Sequence, residues 1–257
     1  MSEAIEVCAL PAERQPRLLR LLNIFAVMSL PLGLYVALVH AGTDASQGDV
    51  QRLFYLHMPS FFGAALAFGG ALLAGIGYLV KRETCYDSFA VAGVEVGLTL
   101  ALVNLVSGSI WARPIWNTWW TWDPRLTSAA VMCLTYAAWL VLRNGIDNPR
   151  QRRRLASVYA ILAYVTVILT LIIIRIRPDT IHPAVIGPSA VNAQGSFELA
   201  ATPGVSTALL VNFPIWSLLL PLTLLWHRYR LQLRIEVLEQ RKALVLNAPL
   251  RAAKGSD

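Results

Sequence analysis

The chain has 257 residues, 56% of them hydrophobic and 14% charged, with a net charge of +7. Soluble domains carry about 25% charged residues, so this composition excludes an ordinary soluble protein and indicates an integral membrane protein. The excess positive charge then reads as cytoplasmic anchoring charge, and no nucleic-acid partner is expected.

A helix needs about 20 apolar residues to cross a hydrocarbon core about 30 Å thick. Six apolar stretches are read as spans: 18–40, 60–80, 88–107, 128–142, 155–174 and 205–227. The expected fold is all-α, a six-helix transmembrane bundle forming one membrane domain over 1–257. A cleaved signal peptide is the competing reading of the first span. That span is long and no small-residue cleavage site follows it, so a retained helix is expected.

Lysine and arginine accumulate on the cytoplasmic side of membrane proteins. Of the 22 basic residues, 17 fall on one side of this topology: before span one, between spans two and three, between spans four and five, and after span six. Both termini are therefore expected in the cytoplasm, together with a tail at 228–257. The stretch 108–128 becomes an outer loop.

In chain order, the first outer loop begins polar and then reads Val50-Gln-Arg-Leu-Phe-Tyr-Leu-His57. Its apolar residues fall near helical spacing, which predicts a short interfacial helix over 50–57. Pro59 is expected to open span two, where a missing N–H costs nothing. Glu95 lies within span three. A buried acid there is either functional or simply protonated or hydrogen-bonded inside the bundle. Residues 108–128 hold five of the eight tryptophans, Trp111, Trp116, Trp119, Trp120 and Trp122, with Arg113, Asp123 and Arg125. Beyond span five, Pro178 and Pro183 prevent helix continuation and leave His182 at the outer surface. The rest, 183–204, reads as loop. The tail after Arg228 is either a continuing amphipathic helix or a solvated basic extension. Cys8, Cys85 and Cys133 form no CxxC pair and no metal spacing, so neither a disulfide framework nor a zinc site is implied.

Interfacial anchoring explains Trp139, Trp216 and Trp226. Five tryptophans in twelve residues exceed what anchoring requires, and indole faces stack well on a flat apolar ligand. His57 and His182 lie at the same depth. Two imidazoles across a gap suit a six-coordinate haem iron. They also suit zinc or copper, for which further ligands are expected nearby. Arg113 and Arg125 offer guanidinium forks to carboxylates such as propionates. Asp123 either binds there or folds the loop by capping span four as Asp-Pro.

Trp111-Ala-Arg-Pro-Ile-Trp-Asn-Thr-Trp-Trp-Thr-Trp-Asp-Pro-Arg-Leu-Thr-Ser128 resembles the tryptophan-rich "WWD" signature of haem-handling membrane proteins. Within them, the length and six spans are most similar to the cytochrome c maturation protein C (CcmC) family. Phe54-Tyr-Leu-His-Met-Pro-Ser60 resembles the segment carrying that family's first periplasmic histidine, and Ile181-His182-Pro183 the second, more loosely. The family commonly has glycine after the first and second tryptophans, where this chain has Ala112 and Asn117. The resemblance implies a haem b site with His57 and His182 as axial ligands. Trp111, Arg113, Trp116, Trp119, Trp120, Trp122, Asp123 and Arg125 would form the platform. It implies delivery of haem to a membrane-tethered periplasmic chaperone during c-type cytochrome maturation, from the bacterial cytoplasmic membrane. An ATP-binding cassette (ABC) transporter ATPase and permease and a small single-span subunit would be partners. The chain itself would be a transfer subunit, not an enzyme. A cytochrome c haem lyase of the same superfamily is the first alternative, although its usual extra spans and histidines are missing. A transporter moving haem or another solute through the bundle is the second.

Overall fold

A computed structural model describes residues 15–45, 47–177, 179–182 and 203–246. Helix α1, Arg17–Tyr35, ends in one wide turn, Val36–His40. A tight turn, Asp49–Leu53, runs directly into α2, Phe54–Lys81. Then come α3, Thr84–Trp116, α4, Pro124–Asn144, and α5, Pro149–Ile176. The last rod is α6, Val205–Pro214, joined through a wide turn at Ile215–Leu219 to α7, Leu220–Leu246. Together these make six helical segments long and apolar enough to cross a membrane, as the apolar runs predict. Helices α4 and α5 begin alike: Asp123 and Asn148 cap the first turn, and each is followed by a proline that suits it.

Helix α2 is the central element and packs against α3, α5 and the α6–α7 rod. Small residues let the backbones approach. Ala64, Ala67 and Ala71 on α2 are fully buried. A Cβ added at Gly97 of α3 would lie 2.5 Å from the Phe68 ring. Phe68 in turn stacks on Tyr136 of α4 at a centroid distance of 3.5 Å. Trp139 is also fully buried and donates to the Ala156 carbonyl of α5 at 2.7 Å, so it serves the core, not an interfacial belt.

One end of the bundle is tied by ions. Asp87 of α3 receives a bidentate pair from Arg143 of α4, at 2.7 and 2.6 Å. Arg153 of α5 stands 3.6 Å from the same carboxylate and also bonds Glu236 of α7. All four residues are buried. The helical continuation of the last span is therefore the observed form of residues 228–246, packed back on the bundle through Leu233 and Glu236. Glu95 is hydrogen-bonded, to Arg228 of α7 at 2.8 Å and through a second contact. His227 bonds Asn23 of α1 at 2.7 Å.

Three expectations need correction. Residues 50–57 are not a separate interfacial helix, and Pro59 does not open α2. Phe54 and Tyr55 are buried against Val36, Ala37, Val205 and Ala208, and that packing draws 54–57 into the helix. Cys133 of α4 is buried and free. The 108–128 loop is shorter than expected, because α3 continues to Trp116 and only 117–123 separates it from α4.

Candidate functional site

At the end of the bundle opposite Asp87, α3 grips the first turn of α2. The His57 Nδ1 lies 2.9 Å from the Asn104 carbonyl oxygen. A carbonyl only accepts, so Nδ1 carries the hydrogen and Nε2 keeps its lone pair. The Asn104 amide donates back to the His57 carbonyl at 2.8 Å. Ser107 Oγ, which donates to the Val103 carbonyl, lies 3.2 Å from Nδ1. One turn along α3, Gly108 leaves the ring its space, since a Cβ there would stand 2.8 Å from His57 Cε1. Trp111 closes the other side. Its ring meets His57 edge-on at 5.8 Å, and its N–H donates to Gln47 at 3.1 Å.

His182 faces this assembly from the segment after α5. The two imidazole centroids are 6.3 Å apart, with planes inclined by 33°. Trp116 stands edge-on to His182 at 6.4 Å. A cavity of about 270 Å³ lies here, lined by both histidines, Trp111, Trp116, Trp120 and Arg125, with Phe61, Leu105 and Leu126 among its apolar walls.

The remaining motif residues divide by position. Trp120 turns inward, while Trp119 and Trp122 are 59% and 80% exposed and lie outside the cavity wall. Arg113 is exposed and donates to the carbonyl and side-chain oxygens of Asn117, both at 2.7 Å. It thus finishes α3 and does not line the cavity. Arg125 does line it. Its guanidinium lies 5.1 Å above Phe61 and donates to the Thr170 carbonyl. No carboxylate among the described residues lies within ion-pair distance of Arg125. Asp123 is buried as the cap of α4, outside the cavity wall. The two departures from glycine are accommodated. Ala112 is helical and buried. Asn117 takes the left-handed conformation at φ 53°, which asparagine tolerates at a helix end.

Between α5 and His182, Arg177 and Asp179 form an exposed ion pair at 2.6 Å. The hydrogen bond from Arg177 holds the Asp179 carboxyl below its usual range. Among the described residues, no group of three or more His, Cys, Asp and Glu is placed to hold a metal ion. Gln47, Asn104, Ser107 and Gly108 escaped the sequence reading as site residues. Asn104 alone gave a signal, as a polar residue within an apolar span.

The family model described as CcmC, heme exporter protein C, matches residues 9–241. The "Heme exporter protein C" of Paracoccus denitrificans is 28% identical over 210 residues, covering 81% of this chain and 82% of its own. That of Bradyrhizobium diazoefficiens is 33% identical over 142 residues, covering 55% and 54%. That of Escherichia coli K12 is 30% identical over 144 residues, covering 56% and 59%. The chain thus spans little more than half the length of two of these relatives and most of the third. The family match takes in both histidines, the tryptophan stretch and nearly all of the helical bundle, and the chain belongs to the heme exporter protein C family of multi-pass membrane proteins.

Proposed function

We propose that this chain binds haem b at the outer face of the bacterial cytoplasmic membrane and passes it to a membrane-tethered periplasmic haem chaperone during c-type cytochrome maturation. The carrying observation is the pair of facing imidazoles. With a metal–imidazole bond of about 2 Å and each ring nitrogen about 1 Å from its centroid, two axial imidazoles stand about 6 Å apart. The His57–His182 separation is 6.3 Å. The hydrogen bond from Nδ1 leaves His57 Nε2 as the ligating atom. Trp111, Trp116 and Trp120 supply the apolar wall that a macrocycle needs. Arg125 presents a half-buried cation to a propionate. Two imidazoles and a broad aromatic wall suit haem better than a bare ion, which requires more ligands.

The positive-inside bias supports the placement. Lys81, Arg82 and the run Arg150–Arg154 lie at the end away from the site, so the site opens outward and both termini stay in the cytoplasm. In this reading the partners are an ABC transporter ATPase and permease and a small single-span subunit. The chain is a transfer subunit; the haem is its cargo.

Purified from membranes, the wild-type protein is expected to carry haem with a Soret band and to lose it to added chaperone in nanodiscs. Background haem content would sink the proposal, and retention in the presence of the chaperone would sink the delivery step. Gly108→Ala adds a methyl group 2.8 Å from the His57 ring. Overpacking of this kind costs about 1–3 kcal/mol. The variant should lose haem about tenfold while keeping its helical circular dichroism. Unchanged haem content would show that His57 need not hold its position.

A further inference from the structure

Asp123 closes the tryptophan stretch but is 7% exposed and does not line the cavity. A buried carboxylate must be met by donors, and four meet this one. Two belong to α4: the backbone N–H groups of Arg125 at 2.8 Å and Leu126 at 3.4 Å reach Oδ1. The other two come from the segment after α5. The Thr180 hydroxyl donates to Oδ1 at 2.9 Å, and the Ile181 backbone N–H donates to Oδ2 at 2.7 Å. Thr180 is itself buried, and its Oγ1 accepts from the His182 backbone N–H at 3.3 Å. Capping a helix requires one side-chain oxygen. Here the second oxygen is committed to the residue immediately before His182. Apart from this clasp the segment is open to solvent: Asp179 is exposed, and so is the Ile181 side chain, at 51%.

We infer that Asp123 is a positioning residue: its carboxylate clasps Thr180 and Ile181 to the start of α4 and so holds His182 opposite His57, without touching haem. This inference rests on the two-histidine haem site proposed above. It gives the acidic residue of the tryptophan motif a task distinct from that of the indoles. The same carboxylate sets the start of α4, which carries Arg125, and the place of His182. Asparagine cannot substitute. Its amide has one acceptor oxygen, and the NH2 group would face the Ile181 N–H, donor against donor.

The test uses the full-length protein in nanodiscs, comparing wild type with Asp123→Asn, Thr180→Val and His182→Ala. Amide hydrogen exchange at Ile181 and the ferric haem spectrum are both recorded. Asp123→Asn should raise Ile181 exchange at least about tenfold and convert the spectrum toward that of His182→Ala, with added imidazole restoring the wild-type spectrum in both. Thr180→Val removes one bond and should move both readouts the same way, by less. Wild-type exchange and spectrum in Asp123→Asn would overturn the inference. So would a loss of haem that imidazole does not rescue with Ile181 exchange unchanged, which would place Asp123 on the haem itself. If His182→Ala leaves the spectrum unchanged, the two-histidine reading fails. The exchange data then still decide whether Asp123 holds the segment.

Discussion

His57→Ala is expected to purify with at least about tenfold less haem than wild type, equivalent to about 1.4 kcal/mol or more of lost binding. In the proposed site the substitution removes a ligating nitrogen, and it empties the space that Asn104, Gly108 and Trp111 shape around the ring. His182→Ala should lose haem by a similar factor, because one of the two proposed axial ligands is removed in either case. The double variant should fall little further, since the two act as one unit and their effects do not add. Haem per protein, measured as the pyridine complex, reads this directly. His227→Ala is the control. That residue bonds Asn23, far from the cavity, and its haem content should equal wild type.

Asp87→Ala is expected to destabilise the bundle by about 3–5 kcal/mol, the cost of leaving a buried charge without its partner. Arg143 would lose both of its bonds to the carboxylate, and Arg153 the more distant of its two anions, leaving Glu236 alone against two buried guanidinium groups. Replacing the pair together, as Asp87→Leu with Arg143→Met, should recover much of the loss, because a well-packed apolar pair often matches a buried ion pair. Thermal unfolding in detergent, followed by circular dichroism, separates these outcomes. If Asp87→Ala unfolds like wild type, the cluster does not hold α3, α4, α5 and α7 together. Since this end of the bundle lies away from the histidines, folded Asp87→Ala protein should still bind haem.

The spans were legible because about 20 apolar residues in a row have few other uses. Their ends were less so. The sequence around Ser107, Gly108 and Pro114 reads as the exit from a helix, yet α3 runs to Trp116. Ala112 buries fully on one face, and Arg113 with Asn117 satisfies the terminal carbonyl. His57 and His182 were legible as a pair because few histidines occur and both fall near helix ends on one side. What holds them was hidden. The partner of His57 is a backbone carbonyl, and no side-chain pattern announces one. Which indoles turn inward depends on seven loop residues, so Trp120 and Trp122 read alike in sequence, yet Trp120 lines the cavity while Trp122, in edge-on contact with it, is exposed. The basic flanks were read as anchoring charge. Arg143 and Arg153 also meet Asp87 and Glu236 in the buried part of the bundle, and Arg228 pairs with the partly exposed Glu95, pairings that only the helix packing reveals.

The most direct test is electron paramagnetic resonance of the ferric, haem-loaded protein in nanodiscs, on wild type and on the double variant His57→Ala/His182→Ala reloaded with haem. Ligation by two imidazoles predicts a low-spin signal in wild type that is absent from the double variant and returns when imidazole is added. The same low-spin signal from the double variant without imidazole would contradict the assignment of His57 and His182 as the ligands.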